Sequence, residues 1–159
     1  MRIDYLADHP GFIPTLARWL HEEWAYLRPG DTVEARQGRL RDVCGRGEIP
    51  TVFVAFAKGT LFGSAMLIAH DMDIRMDLTP WLAGVFVAPD YRRRGIGSTL
   101  VRRVVESAAQ LGEKRLYLYT PSAEQMYLRL GWSAIERTQY RGKEVVVMSY
   151  DVRPNVAGS

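Results

Sequence analysis

The chain has 159 residues, of which 47% are hydrophobic and 25% are charged, and its formal net charge at pH 7 is +3. These values are typical of one soluble globular domain and exclude a largely disordered chain. A single cysteine, Cys44, excludes an internal disulfide and a cysteine-rich zinc site, and three scattered histidines argue against a histidine metal centre. The start of the chain has no export-signal pattern and no apolar run approaches the ~20 residues of a membrane helix, so we expect a cytoplasmic protein without a membrane partner.

The first half of the chain predicts one strand, two helices and a hairpin. Apolar residues recur at helical spacing after Pro10 until Pro29 interrupts the pattern. Asp31 or Thr32 can cap the second helix. The predicted elements, in chain order, are a strand over 2–7, helices over 10–26 and 31–43, hairpin strands over 51–57 and 61–69, and a polar loop over 70–80.

The second half predicts alternating strands and helices. Its clearest helix has an apolar face that runs from Ile96 to Leu111, and Gly112 ends it. The predicted elements are a strand over 81–88, a helix over 95–111, a strand over 115–119, a short helix over 122–130 and a closing hairpin over 132–139 and 143–150. The order β-α-α-β-β-β-α-β-α-β-β predicts a mixed α/β sheet in a single domain over 1–152, followed by a flexible C-terminal tail over 153–159.

Positive charge is concentrated between Arg92 and Arg115. This stretch holds seven basic and two acidic residues, so its charge is +5 while the rest of the chain sums to −2. A local basic site on a nearly neutral body favours a small anionic ligand, whereas nucleic-acid binding would more often use a broad basic face with aromatic residues. The run is also compatible with an ordinary solvated helix face.

A glycine-containing turn joins the strand over 81–88 to the long helix. The first backbone N–H groups of a helix have no partner within it, and they lie at the positive end of the helix dipole. Gly95 and Gly97 leave room for an anion near the main chain, and the preceding arginines add donors. A pyrophosphate suits such a site. The longer glycine pattern of a dinucleotide site and the Gly-Lys-Ser/Thr of a nucleoside-triphosphate loop are both absent.

Two segments carry a family resemblance. After a strand that ends in Val-x-Pro, Arg92 begins a segment with Gly95 and Gly97 that resembles the coenzyme A signature Gln/Arg-x-x-Gly-x-Gly/Ala of the GNAT superfamily of N-acetyltransferases. The segment over 123–132 resembles the family's Ala-x-x-x-Tyr-x-x-x-Gly-aromatic pattern, with Tyr127 at the tyrosine position. The predicted order of elements also matches the family. One position departs, because the family often has asparagine where this chain has Thr120.

The resemblance implies an acyltransferase that moves an acetyl group from acetyl-coenzyme A, as cosubstrate and without a metal, directly to a primary amine. The amine would belong to a small molecule or to a protein or peptide N-terminus. The coenzyme would lie where the strands over 81–88 and 115–119 splay apart, and Tyr127 would be the general acid that protonates the leaving thiolate. The coenzyme-binding residues that the motif implies are Val85, Phe86, Val87, Arg92, Arg93, Arg94, Gly95, Ile96, Gly97 and Ser98.

The acceptor side is the part that the motifs specify least. Candidate bases lie near the segments expected to frame the acceptor, namely His21, Glu22, Glu23, His70 and Asp77. The candidates for an aromatic wall are Trp24, Tyr26 and Trp81. The acidic residues that would attract a cationic amine are Asp71, Asp73 and Asp77. For each of these residues, an ordinary surface or core position is the alternative interpretation.

Three other functions remain compatible with the sequence. A domain of the same fold could bind coenzyme A as a sensor or interaction module without catalysis. The arginine run could bind nucleic acid, although we expect no nucleic-acid partner, and the acyl group could be larger than acetyl. A homodimer is compatible with the family, and nothing in the sequence marks its interface.

Overall fold

The computed structural model of the protein describes residues 1–152, and the predicted tail over 153–159 lies outside the described residues. The strands are β1 (Arg2–Tyr5), β2 (Thr51–Ala57), β3 (Thr60–Ile68), β4 (Trp81–Val87), β5 (Arg115–Thr120), β6 (Ser133–Tyr140) and β7 (Lys143–Asp151). The α-helices are α1 (Ile13–Trp24), α2 (Val33–Asp42), α3 (Ile96–Gln110) and α4 (Glu124–Arg129). Among these described residues, no helix combines the length and the apolar character needed to cross a membrane.

The order of the strands confirms the predicted mixed α/β sheet. The strands lie in the order β1-β2-β3-β4-β5-β7-β6, and every neighbouring pair is antiparallel except β4 and β5. Short turns join β2 to β3 and β6 to β7 as antiparallel hairpins, whereas α3 is the crossover that makes β4 and β5 parallel. The parallel pair therefore lies between two antiparallel parts of the sheet.

β2 is buried on both faces of the sheet, which explains its continuous apolar run. Phe53 and Ala55 pack in the cluster that contains α3, whereas Val52 and Val54 pack in the cluster that contains α1. The buried residues of both helices recur at helical spacing, as the sequence pattern predicts. Each fully buried leucine or phenylalanine in these layers contributes about 1.5–3 kcal/mol through the hydrophobic effect.

Several element boundaries differ from the sequence-based predictions. The predicted helix over 10–26 is α1 flanked by short 3-10 turns at Pro10–Phe12 and Ala25–Leu27. Pro14 lies in the first turn of α1, where its missing N–H costs no hydrogen bond, and Trp24 leaves the helical conformation with φ −126°. β1 is shorter than predicted because a 3-10 turn follows it, and α4 is also shorter than its predicted range.

The predicted separation of β4 from β5 is confirmed. The two strands share one register pair, Trp81 with Tyr117, and the amide of Tyr117 also donates to the carbonyl of Pro80 at 3.1 Å. Beyond this pair, one backbone edge of β4 has no neighbouring strand among the described residues. The β3–β4 pairing is irregular beside Gly84, whose φ is +56°, and such a bulge bends its strand. The bend accompanies the separation of the second half of β4 from β5.

Candidate active site

The opening between β4 and β5 continues into a cleft of about 780 Å³. Ligand-binding sites usually have volumes of about 300–1,000 Å³. The lining comes from β4 and β5, from the start of α3 and from α4, and from α1, α2, the loop after β3 and the β6–β7 turn. The cleft therefore joins the predicted coenzyme site to the segments predicted to frame an acceptor.

Backbone N–H groups are free at the start of α3. Thr99 donates the first helical bond to the carbonyl of Gly95 at 3.1 Å, and within residues 1–152 the amides of Ile96, Gly97 and Ser98 have no backbone acceptor. Gly95 has φ +79°, a left-handed conformation that glycine adopts without strain. Successive amides in such a turn form a concave site for an anion, and the helix dipole strengthens it. The start of α3 therefore has the geometry of a phosphate site.

The predicted coenzyme-binding residues divide into those that line the cleft and those that do not. Those that line it are Val85, Phe86, Val87, Arg92 and Gly97. A Cβ on Gly97 would lie 3.6 Å from Cγ2 of Val87, so this position is open toward β4. The side chain of Ile96 is buried in the core, and it can offer a ligand only its amide. The structure thus places the backbone of the motif, rather than all of its side chains, next to the cleft.

The backbone of β4 is free on its β5 side. The amide of Ala88 donates to the carbonyl of Phe62 at 2.9 Å, so Ala88 and, by strand alternation, Phe86 direct their backbone groups toward β3. Val85 and Val87 alternate with them and direct their backbone groups toward the opening. An extended ligand can pair with Val85 and with the amide of Val87, whose carbonyl accepts from Nε of Arg92 at 2.8 Å, whereas Phe86 contributes its ring to the lining.

The three arginines of the motif have different environments. Arg92 donates through Nε to the carbonyl of Val87 at 2.8 Å and lines the cleft. Arg94 stacks over the ring of Tyr91 at 5.7 Å, and Arg93 is exposed with φ +65°. Arg93 and Arg94 stay outside the lining, so they act on a bound anion through their positive charge.

Tyr127 lies on α4, and its side chain borders the cleft. Its ring packs edge-on against Trp132, with 6.0 Å between the ring centroids. Burial raises the pKa of the Tyr127 phenol above its usual value. The phenol therefore keeps its proton at neutral pH and can act as an O–H donor in the cleft.

Thr120 stands where the GNAT pattern often has asparagine. Its Oγ1 accepts hydrogen bonds from the amides of Ser122 at 3.3 Å and Ala123 at 3.0 Å, just before α4 begins. An asparagine side chain makes the same kind of bond to the amides that follow it. The departure from the pattern therefore preserves the link that positions α4 and Tyr127.

Asp71 lies just after β3 and lines the cleft. Burial raises the pKa of its carboxyl group from 3.8 to about 7, because the surrounding protein disfavours the charged form. Burial and then the negative charge of Asp71 raise the pKa of Tyr119, which lines the same cleft. From the sequence alone, Asp71 is expected only to attract a cation, since no sequence signal separates it from Asp73 and Asp77.

The other residues predicted for the acceptor side fall into two groups, those that line the cleft and those that do not. Those that line the cleft are Glu23, Trp24, Tyr26, His70 and Asp73, whereas the lining does not include His21, Glu22 and Asp77. Trp81 is wrongly placed in the predicted aromatic wall. Its side chain is fully buried, and its indole N–H donates to the carbonyl of Leu78 at 2.7 Å. Trp81 packs against β5 and β7 instead of facing the acceptor.

The β6–β7 turn contacts two segments at the end of the cleft that is predicted to hold the acceptor. This acceptor end is lined by the end of α1, the α1–α2 connection, α2, the loop after β3 and the β6–β7 turn. Arg141 donates through Nη1 to the carbonyl of Leu27 at 2.9 Å and through Nη2 to Asp73 at 2.8 Å. Lys143 lies 4.1 Å from the ring centroid of Tyr26. The turn therefore links the connection between α1 and α2 to the loop that carries Asp71. Within residues 1–152, no group of three His, Cys, Asp or Glu side chains could hold a metal ion.

Comparisons with known proteins agree with this fold. No curated protein sequence matches the chain. Similar solved structures include an aminoglycoside 6'-N-acetyltransferase complexed with coenzyme A, with 17% identity, a TM-score of 0.76, and coverage of 98% of this chain and 99% of that one. A Salmonella typhimurium protein solved with its cofactor acetyl-CoA has 18% identity, a TM-score of 0.67, and coverage of 100% and 98%. Ribosomal-protein-alanine N-acetyltransferase from Brucella melitensis has 20% identity, a TM-score of 0.70, and coverage of 95% and 99%.

At these low identities the solved structures show a shared fold, whereas a match of the sequence to a family shows the family. The model of the acetyltransferase (GNAT) family matches residues 13–132, which is most of the chain and includes both motifs. The chain therefore belongs to the acetyltransferase (GNAT) family.

Proposed function

We propose that this protein transfers an acetyl group from acetyl-coenzyme A directly to a primary amine, of a small molecule or of a protein or peptide N-terminus. The supporting observation is that one cleft contains the free edge of β4, the start of α3, Tyr127 and Asp71. These features supply a binding edge for an extended chain, a phosphate site, a proton donor and a proton acceptor. The named activities and ligands of the similar structures support acetyl-coenzyme A as the donor and an amine as the acceptor.

The chain's own residues fit the coenzyme at both ends of the opening. The amides of Ile96, Gly97 and Ser98 would bind the pyrophosphate, and the arginine run would add positive charge. The backbone groups of Val85 and Val87 would pair with the pantetheine arm, and one of their N–H groups would polarise the thioester carbonyl. A side chain larger than glycine at position 97 would extend toward Val87 and fill this path.

Tyr127 is the proposed general acid for the leaving sulfur. The usual pKa of a phenol is about 10 and that of a thiol about 8.5, so a full proton transfer to the thiolate costs about 2 kcal/mol. Burial of Tyr127 raises this cost. Tyr127 therefore donates a hydrogen bond as charge develops on sulfur, and the proton moves when the carbon–sulfur bond breaks.

Asp71 is the proposed proton acceptor for the amine. An α-amine has a pKa of about 7.7–8.0, and a lysine-type amine has one of about 10.4. A carboxylate with a pKa of about 7 is close enough to an α-ammonium group to accept its proton at small cost. Because Asp71 lines the cleft, it can remove this proton during attack.

Coenzyme binding and turnover test the proposal together. Isothermal titration calorimetry with coenzyme A should show binding by the wild type and loss of binding by Gly97→Glu, which puts a negative side chain at the phosphate site. Gly11→Glu is the matched control, since a Cβ on Gly11 meets no atom within 4 Å and Gly11 is not part of the cleft lining. Release of free thiol from acetyl-coenzyme A in the presence of amines measures turnover.

Each outcome decides between the candidate functions. Unchanged affinity in Gly97→Glu would contradict the coenzyme site. Binding of coenzyme A with no amine-dependent thiol release would instead indicate a non-catalytic coenzyme A-binding protein. Tight, salt-sensitive binding of nucleic acid without coenzyme binding would favour a nucleic-acid-binding function for the arginine run.

A further inference from the structure

Three arginines lie in one wall of the acceptor end of the cleft. Arg28 is in the connection between α1 and α2, and Arg36 and Arg39 are on successive turns of α2. One carboxylate, Asp31, lies among them, and its side chain is 2% exposed. Arg39 donates through Nη1 to Asp31 at 3.0 Å, and this bond holds the pKa of Asp31 at about 2. Asp31 therefore pairs with Arg36 and Arg39, and the positive charge of Arg28 near Arg36 leaves the cluster with an excess of positive charge.

Arg36 has the least satisfied guanidinium of the three. Its side chain is 16% exposed, and its contact with Asp31 is long, at 3.3 Å. Its Nε is buried and has no hydrogen-bond partner among residues 1–152. Burial lowers the pKa of Arg36, and the positive charges of Arg39 and Arg28 lower it further. A buried guanidinium beside like charges is costly, and an anionic ligand at the part of Arg36 that the cleft exposes would offset that cost.

The same excess holds for the whole acceptor end. Five basic side chains line it, from Arg28, Arg36, Arg39, Arg141 and Lys143. Three acidic side chains line it, from Glu23, Asp71 and Asp73. Asp31 lies outside the lining but pairs with Arg36 and Arg39, so counting it leaves an excess of one positive charge, with Asp73 paired to Arg141 at 2.8 Å. An acceptor with several ammonium groups would be repelled by such a surface, whereas an acceptor with an anionic group would be attracted.

We infer, resting on the proposed function, that the acceptor is a primary amine that also carries an oxyanion, a carboxylate or a phosphate. Arg36 and Arg28 bind the oxyanion, and the amine lies toward Asp71. The guanidinium fork suits both oxyanions, because it offers parallel N–H donors to two oxygens. Arg39 keeps the arrangement in place through its bond to Asp31.

Matched acceptors test this inference in the thiol-release assay. The L-amino acids are compared with their C-terminal amides, O-phosphoethanolamine is compared with ethanolamine, and kanamycin is the polycationic acceptor. We expect kcat/KM to be at least 10-fold higher for the oxyanion member of the better pair, a factor that one charge-assisted hydrogen bond supplies. A preference for the amino acids would identify a carboxylate as the oxyanion of the acceptor, and a preference for O-phosphoethanolamine would identify a phosphate.

Variants show whether the arginines cause the preference. Arg36→Gln and Arg28→Gln should raise KM for the oxyanion acceptor by about 10- to 100-fold, with kcat and the neutral acceptor little changed. Arg28 is exposed, so Arg28→Gln keeps the test valid if Arg36→Gln fails to fold. Arg41→Gln is the matched control, since Arg41 is an exposed arginine of α2 that does not line the cleft.

Failure of this inference is distinguishable from failure of the proposed function. Faster acetylation of kanamycin or of the neutral amines, no acetylation of any oxyanion-bearing amine, or equal loss for both members of a pair in Arg28→Gln would overturn it. Any of these results with amine-dependent thiol release leaves the acetyltransferase proposal standing. No thiol release with any amine, despite coenzyme binding, would remove both.

Discussion

Replacement of Asp71 by asparagine should stabilise the protein at alkaline pH and remove most of its activity. Burial raises the pKa of this carboxyl group from 3.8 to about 7, so the folded protein disfavours the ionised form. Below about pH 3 the group is protonated in both the folded and the unfolded chain, and it costs no stability. As the pH rises toward 7 the unfolded chain releases the proton first, and the free energy of unfolding falls. Asparagine carries no charge at any pH and avoids this loss.

The size of the effect follows from the shift in pKa. One pKa unit corresponds to about 1.36 kcal/mol, so the full shift sets a ceiling of about 4 kcal/mol above pH 7. About 3 kcal/mol of this ceiling develops between pH 5 and pH 8, and partial exposure of Asp71 to the cleft should reduce it to about 2 kcal/mol. The gain of Asp71→Asn over the wild type should therefore be about 2 kcal/mol larger at pH 8 than at pH 5.

Urea unfolding of both proteins at pH 5 and pH 8 measures this difference, and thiol release measures turnover. The wild-type kcat/KM should rise as Asp71 ionises near pH 7, and Asp71→Asn should lose this rise and about 100-fold in rate, the smaller end of general-base effects. Asp77→Asn, on the same loop but outside the cleft lining, should change neither property. Equal effects of Asp71→Asn on stability at the two pH values, or an unchanged pH–rate profile, would refute this reasoning.

Other substitutions test the geometry of the sheet, of α4 and of the proposed acid. Gly84→Ala should destabilise the protein by about 1–3 kcal/mol, because alanine at φ +56° is strained and its Cβ would lie 2.8 Å from Cε of Met66; unaltered urea unfolding would contradict this contact. Thr120→Val should lower the free energy of unfolding by about 1 kcal/mol, because it removes the hydrogen bonds before α4. Thr120→Asn should retain that stability in thermal unfolding. Equal melting temperatures of the two variants would contradict the role of the side-chain oxygen. Tyr127→Phe should lower kcat about 100-fold with unchanged affinity for coenzyme A, and full turnover would exclude the general acid; Tyr150→Phe, outside the cleft lining, is its control.

The sequence was informative where the relevant contacts are local. The free amides before α3 depend on a strand, two glycines and a helix that follow one another within a dozen residues, and the pattern around Gly95 and Gly97 predicts them. The position of Tyr127 follows from a similar short motif. The order of the elements predicts the mixed sheet, since hairpins make antiparallel neighbours and one crossover helix makes the parallel pair.

The acceptor side could not be predicted in the same way. Trp81 has the composition of a binding-wall residue, but packing from β5 and β7 buries it completely. The three aspartates of the loop after β3 are equivalent in sequence, and burial in the cleft distinguishes Asp71. Arg28, Arg36 and the other basic residues of the acceptor end come from distant segments, so their common surface is visible only after folding.

The amino-acid sequence by itself determined the elements, their order, the family and the backbone anion site, because helix starts, turns and apolar periodicity are set by residues close together in the chain. The tertiary structure decided which ionisable groups share the cleft and what their protonation states are. Arg141 reaches Leu27 across 114 positions of the chain, and such long-range contacts fix burial and charge balance. Burial and charge balance, in turn, set the pKa of Asp71 and underlie the proposed preference for an anionic acceptor, since electrostatic energies depend on distance in space and on exclusion of water.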